Sequence, residues 1–153
     1  MSNTPHVITV DAAGTLIRPW PSVGAVYAQT AREFGLVVED DAIDRRFYEV
    51  FGKVQKDHKI TSGEEKDFWR QVVFAVFKPH AEKTDLDPLF EELWELFARG
   101  KHWRLADGAK DTLFQLKEKG YRLAVLSNND SRLRCVLNDL AIDSLFEKIF
   151  ISS

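Results

Sequence analysis

The chain has 153 residues, 44% of them hydrophobic, and a formal net charge of -3, enough for one domain with a substantial core or a smaller core carrying an inserted module. That balance offers no basic stripe of the kind that neutralising a phosphate backbone requires, so nucleic acid is not an expected partner. The single cysteine, Cys135, excludes an intrachain disulfide and a zinc cluster built from thiolates, and is expected to be a small, partly buried helix residue.

The opening MSNTPH carries no basic region or signal-length apolar segment, and no run approaches membrane-spanning length. The expected compartment is therefore the cytoplasm. His6 to Val10 is β-branched and ends at an Ala-Ala-Gly turn, the pattern of a short buried strand. Arg18-Pro19-Trp20-Pro21 then breaks the chain, because each proline restricts itself and its predecessor, and is expected to leave the first element without continuing it as a strand.

Four amphipathic helices follow. Val23, Val26, Tyr27, Thr30, Ala31 and Phe34 recur at helical spacing, with Gly35 placed to end that helix. Asp41 is a candidate cap for a second helix with the stripe Ile43, Phe47, Val50, Phe51 and Val54. Ser62-Gly-Glu-Glu65 has the capping-box spacing for a third helix, which carries Phe68, Trp69, Val72, Val73, Val76 and Phe77. Asp87-Pro88 opens a fourth through Leu89, Leu93, Leu96 and Phe97, stopping near Gly100.

After Trp103 the pattern becomes helix, strand, helix, strand: Asp107 capping a helix to Gly120, a strand from Tyr121 to Leu126, Asp130 capping a helix with Leu133, Val136, Leu137 and Leu140, and a strand from Lys148 to Ile151. The expected fold is α/β, a Rossmann-like parallel sheet with a helical bundle spliced in after the first strand. The expected boundaries are core at 1–17, helical cap at 18–104 and core again at 105–153.

In open parallel sheets, ligands collect at the carboxyl ends of the strands. Asp11 ends the first strand, and Ser127-Asn128 ends the strand from Tyr121. A carboxylate facing a hydroxyl, an amide and backbone N–H groups suits covalent catalysis on an ester or phosphate: the carboxylate attacks and the donors stabilise the developing charge. Gly14 lets the backbone turn sharply beside it. Either residue would serve equally as an ordinary strand-end turn former.

Asp11-Ala-Ala-Gly-Thr-Leu16 and Leu123-Ala-Val-Leu-Ser-Asn128 resemble the first two motifs of the haloacid dehalogenase-like hydrolase superfamily, and Asp107-Gly-Ala with Leu-Lys-Glu-Lys-Gly120 extends the likeness over most of the chain. Within the superfamily the spacing resembles the subgroup with an early cap, of the eukaryotic domain-containing and rhythmically-expressed-gene type. The resemblance implies a hydrolase acting on a small phosphorylated or halogenated molecule, with Asp11 as nucleophile, Thr15 supporting its loop, and Ser127 and Asn128 holding the substrate anion. It also implies a magnesium site that uses the Asp11 carboxylate and the backbone carbonyl of Ala13.

Two departures stand out. Family phosphatases carry at the position of Ala13 the acid that protonates the leaving oxygen, and losing a positioned general acid costs about two to four orders of magnitude in rate. A halide needs no proton, so Ala13 argues against ordinary phosphomonoester hydrolysis without establishing dehalogenation. The family also continues with a basic residue and an acidic motif that do not occur by Ser153, and Lys148 precedes the strand it would have to follow. The expectation is a fragment of a longer protein, a non-catalytic binding member, or a chain that self-associates through the free edge of its first strand.

His6, His58, His80 and His102 show no metal-ligand spacing. The tryptophans are expected to pack in cores, with Trp20 watched as a lining residue where core passes into cap. Glu39-Asp40-Asp41 and Arg45-Arg46 are expected to be solvated.

Overall fold

The computed structural model describes residues 6–57 and 64–152. The chain divides into two compact units, one formed by Met1–Arg18 with Ala98–Ser153 and the other by Pro19–Phe97. His58, and the Ser62 of the expected capping box, lie outside the described residues.

The first unit is a parallel three-stranded sheet in the order β1 (Val7–Val10), β4 (Arg122–Ser127), β5 (Lys148–Ile151). The register pairs Val10 with Val125 and Ser127 with Ile151. Strands added in one direction by right-handed crossovers receive their helices on one face. Accordingly α5 (Ala109–Glu118) and α6 (Arg132–Asp139) share a single core with that face, where Leu113, Leu133, Val136 and Leu137 bury against Leu123 and Val125. Period-2 alternation sends Val7, Leu126 and Phe150 to the other face, where they are exposed. Among the described residues β1 is a sheet edge, hydrogen-bonded to β4 alone.

A second, two-stranded pairing joins β2 (Ile17–Pro19) to β3 (Trp103–Leu105), preceded by the 3-10 turn Gly100–His102. Proline periodicity argues against a strand at Arg18-Pro19, yet an edge of a short ribbon tolerates proline because the missing N–H has no obligatory partner there. The Trp20–Pro21 peptide that follows is cis, and Trp20 is exposed.

The helical unit is built from α1 (Val23–Glu33), α2 (Asp40–Asp57), α3 (Glu65–Ala81) and α4 (Asp87–Leu96). Tyr27 is its aromatic hub, with Phe47, Phe77 and Phe97 rings 5.5 to 5.9 Å away. Trp69 stacks on Phe51 at 5.7 Å. α1 and α2 approach closely at Gly24, whose N–H donates to Asp44 Oδ1 at 2.7 Å; a Cβ on Gly24 would run into the backbone and Cβ of Asp44.

Several local expectations shift. α2 opens at Asp40, two residues earlier than an Asp41 cap implies. Gly108, with φ of 74°, takes the cap position of α5 in place of Asp107. Cys135 is exposed. Arg46 is half-buried and not solvated: its Nε donates to the carbonyl of Val76 at 2.7 Å and its Nη2 to that of Ala75 at 2.8 Å. The reason lies in α3, where Pro79 lacks the N–H that Ala75 would otherwise receive from four residues on.

Candidate active site

Two loops at the carboxyl ends of β1 and β4 carry the site. In the first, the buried Ala12 turns its carbonyl inward to accept from the N–H groups of Thr15, Leu16 and Ile17 at 3.1, 2.8 and 3.1 Å. Gly14 closes the turn with φ of 86°, a left-handed conformation that a Cβ would strain, and donates its N–H to Ile17 at 2.8 Å. This winding leaves Asp11 exposed, with Thr15 Oγ1 donating to its Oδ2 at 3.2 Å. The carboxylate is thereby oriented from its own loop.

The second loop begins at Ser127, which is 5% exposed. Because Val10 is level with Val125, Asp11 and Ser127 emerge at the same end of neighbouring strands. Asn128 is exposed. Asp130, also 5% exposed, holds the start of α6: its Oδ1 accepts from the Arg132 backbone N–H at 3.1 Å, and the Arg132 guanidinium grips both carboxylate oxygens at 2.8 and 2.7 Å. The N-cap of α6 is Ser131, one residue past the expected Asp130, which instead takes the Arg132 N–H and a fork-shaped ion pair.

Lys148 lies at the opposite end of β5, level with Ala124, so it is no substitute for a cation at the site. Ser152 is a polar group that sequence reasoning passed over. Its N–H donates to the Ser127 carbonyl at 3.2 Å and its hydroxyl to Asn128 Oδ1 at 2.6 Å. The strand-end rule that singled out Asp11 and Ser127, applied to β5 as well, would have found it. A hollow in the helical unit, lined by Arg32, Val38, Glu39, Asp40 and Asp41, is acidic overall and unsuited to an anionic substrate.

The family model of haloacid dehalogenase-like hydrolases matches residues 5–153. This chain belongs to that family. It is 32% identical over 156 residues to the human haloacid dehalogenase-like hydrolase domain-containing protein 3, and 29% identical over 147 residues to a Schizosaccharomyces pombe protein described as an uncharacterized hydrolase. Those alignments take in 96% and 92% of this chain, which spans 61% and 62% of the two relatives' lengths.

The haloacid dehalogenase-like fold is equally plain among solved structures. A magnesium-bound hydrolase of Bacillus subtilis superposes with a TM-score of 0.71 at 18% identity, over 96% of this chain and 65% of its own. The L-2-haloacid dehalogenase of Xanthobacter autotrophicus superposes at 0.66 with 14% identity, over 97% and 57%. Both likenesses concern the fold.

Magnesium prefers hard oxygen donors and commonly takes one or two carboxylates, filling its octahedron with water and substrate oxygens. The exposed Asp11 carboxylate and the backbone carbonyl of Ala13 fit that chemistry in kind. The described residues contain no cluster of three or more His, Cys, Asp or Glu side chains able to hold a metal on their own. No helix among them is long and apolar enough to cross a membrane.

Proposed function

We propose that the chain carries the nucleophile half of a hydrolase that works through an aspartyl intermediate on a small anionic substrate, phosphorylated or halogenated. One observation carries the reading: the β1–β4 register brings an exposed carboxylate, Asp11, to the same sheet end as Ser127 and Asn128. Asp11 attacks the phosphorus or the halogen-bearing carbon, the bond to the leaving group breaks with its electron pair, and water then hydrolyses the acyl phosphate or the ester so formed on the carboxylate. Thr15 aims the carboxylate, while Ser127 and Asn128 hold the substrate anion by neutral hydrogen bonds. A magnesium ion held by Asp11 and the Ala13 carbonyl would supply charge neutralisation to the same anion.

Ala13 removes any side-chain proton donor two residues from the nucleophile, which favours leaving groups that depart as stable anions. The same residue supports a second reading, a family member kept for binding rather than turnover. To separate them, the chain, a version extended to the length of its relatives, and Asp11→Asn in each are assayed against phosphate esters and 2-haloacids. Turnover in the extended form that Asp11→Asn lowers at least about a thousandfold is the expected result, in line with loss of a nucleophile. Turnover that survives the substitution rules Asp11 out as nucleophile. Anion binding without turnover on any substrate selects the binding reading.

A further inference from the structure

We infer that Ser152 is a positioning residue for Asn128, fixing the side-chain amide so that its NH2 faces the substrate anion. The inference rests on the reading in which Asn128 holds that anion. A side-chain amide is two-faced: its carbonyl repels an anion and its NH2 attracts one, and its terminal torsion is soft enough for both orientations to be populated. A hydroxyl on the far side that donates to the carbonyl oxygen holds the orientation in which the NH2 meets an anion. Because β5 runs parallel to β4 with Ile151 level with Ser127, the next residue, Ser152, is carried alongside Asn128. Its backbone N–H is already committed to the Ser127 carbonyl at 3.2 Å, which anchors it, and its hydroxyl donates to Asn128 Oδ1 at 2.6 Å. With Oδ1 engaged by β5, the amide hydrogens are left for the ligand.

The orientation matters because the nearest cation in sequence is spent. Arg132 is locked on both oxygens of the buried Asp130, and Lys148 sits at the far end of β5. Ser127 and Asn128 meet the anion as neutral donors, for which a flipped amide turns attraction into repulsion. Ser152 makes no bond to the substrate and moves no proton; its effect passes through Asn128.

The test measures binding of inorganic phosphate, and in parallel 2-chloropropionate, to the full chain by calorimetry, following whichever anion binds more tightly. Ser152→Ala is expected to weaken binding about three- to tenfold, the span of one net hydrogen bond. Ser152→Thr, which keeps the hydroxyl, stays within about twofold of the parent on the same scale. In an Asn128→Ala background, Ser152→Ala changes nothing further, since the residue it positions is gone. Ser152→Val, close in shape to the threonine variant, replaces Ser152→Ala should the latter fail to fold. Undiminished binding in both hydroxyl-free variants, or a loss that persists in the Asn128→Ala background, overturns the inference alone. Binding that Asn128→Ala leaves intact, or no anion binding by the parent chain, removes the reading of Asn128 and the inference with it.

Discussion

Arg46 offers the sharpest test of the packing account. Pro79 interrupts α3 and leaves the Ala75 carbonyl without its helical N–H; the Arg46 guanidinium answers with bonds of 2.8 Å to Ala75 and 2.7 Å to Val76. Removing the side chain as Arg46→Ala costs those two charge-assisted bonds. Both are part-buried, so each is taken at the low end of its range, about 1.5 kcal/mol, with about 1 kcal/mol returned as rotamer freedom. The expected loss is about 2 kcal/mol. Urea unfolding followed by tryptophan fluorescence reads it, since Trp20, Trp69 and Trp94 all belong to the helical unit. Pro79→Ala supplies the decisive control: it restores the N–H to Ala75, so Arg46→Ala should then cost about 1 kcal/mol less than in the parent. An Arg46→Ala loss below about 0.5 kcal/mol, or an equal loss in both backgrounds, refutes the claim that the guanidinium compensates for the proline.

Gly24→Ala drives a Cβ into Asp44 where α1 meets α2 and should destabilise the helical unit by about 1–3 kcal/mol. Gly52→Ala, also helical but facing open space, should stabilise it by about 0.5–1 kcal/mol; denaturation midpoints that move the same way for both would contradict the packing at Gly24. In the sheet unit, the hydrogen bond from Arg122, with Nε 2.8 Å from Glu147 Oε2, holds the Glu147 carboxyl below the usual carboxylate range. Its contribution to stability is therefore complete above the unfolded-state value and is lost as pH falls through the lowered one. Carboxyl NMR should show that midpoint rising to the ordinary range in Arg122→Ala, and an unmoved midpoint would mean the pair does not form in solution.

Much of the architecture was legible in local pattern. Strand-length apolar runs ending at Asp11, Ser127 and Ile151, and helical stripes such as Val23, Val26 and Tyr27, depend on short-range periodicity, which a sequence displays directly. The short pairing of β2 with β3 was not legible. Its two strands are three residues each, one contains Pro19, and what makes them strands is a partner more than eighty residues away. The same holds for Arg46, which composition marks as a solvated charge and which only the neighbouring kinked helix turns into a structural donor.

The candidate site divides along the same line. Asp11, Ala13, Gly14 and Thr15 lie within five residues of one another, so the identity and order of that loop were determined by the sequence alone. That Ser127 emerges at the same sheet end as Asp11, and that Ser152 reaches Asn128, were decided by the parallel register of β1, β4 and β5. Register is a relation between strands distant in the chain, set by which faces bury against α5 and α6. No local pattern specifies it until the sheet is assembled.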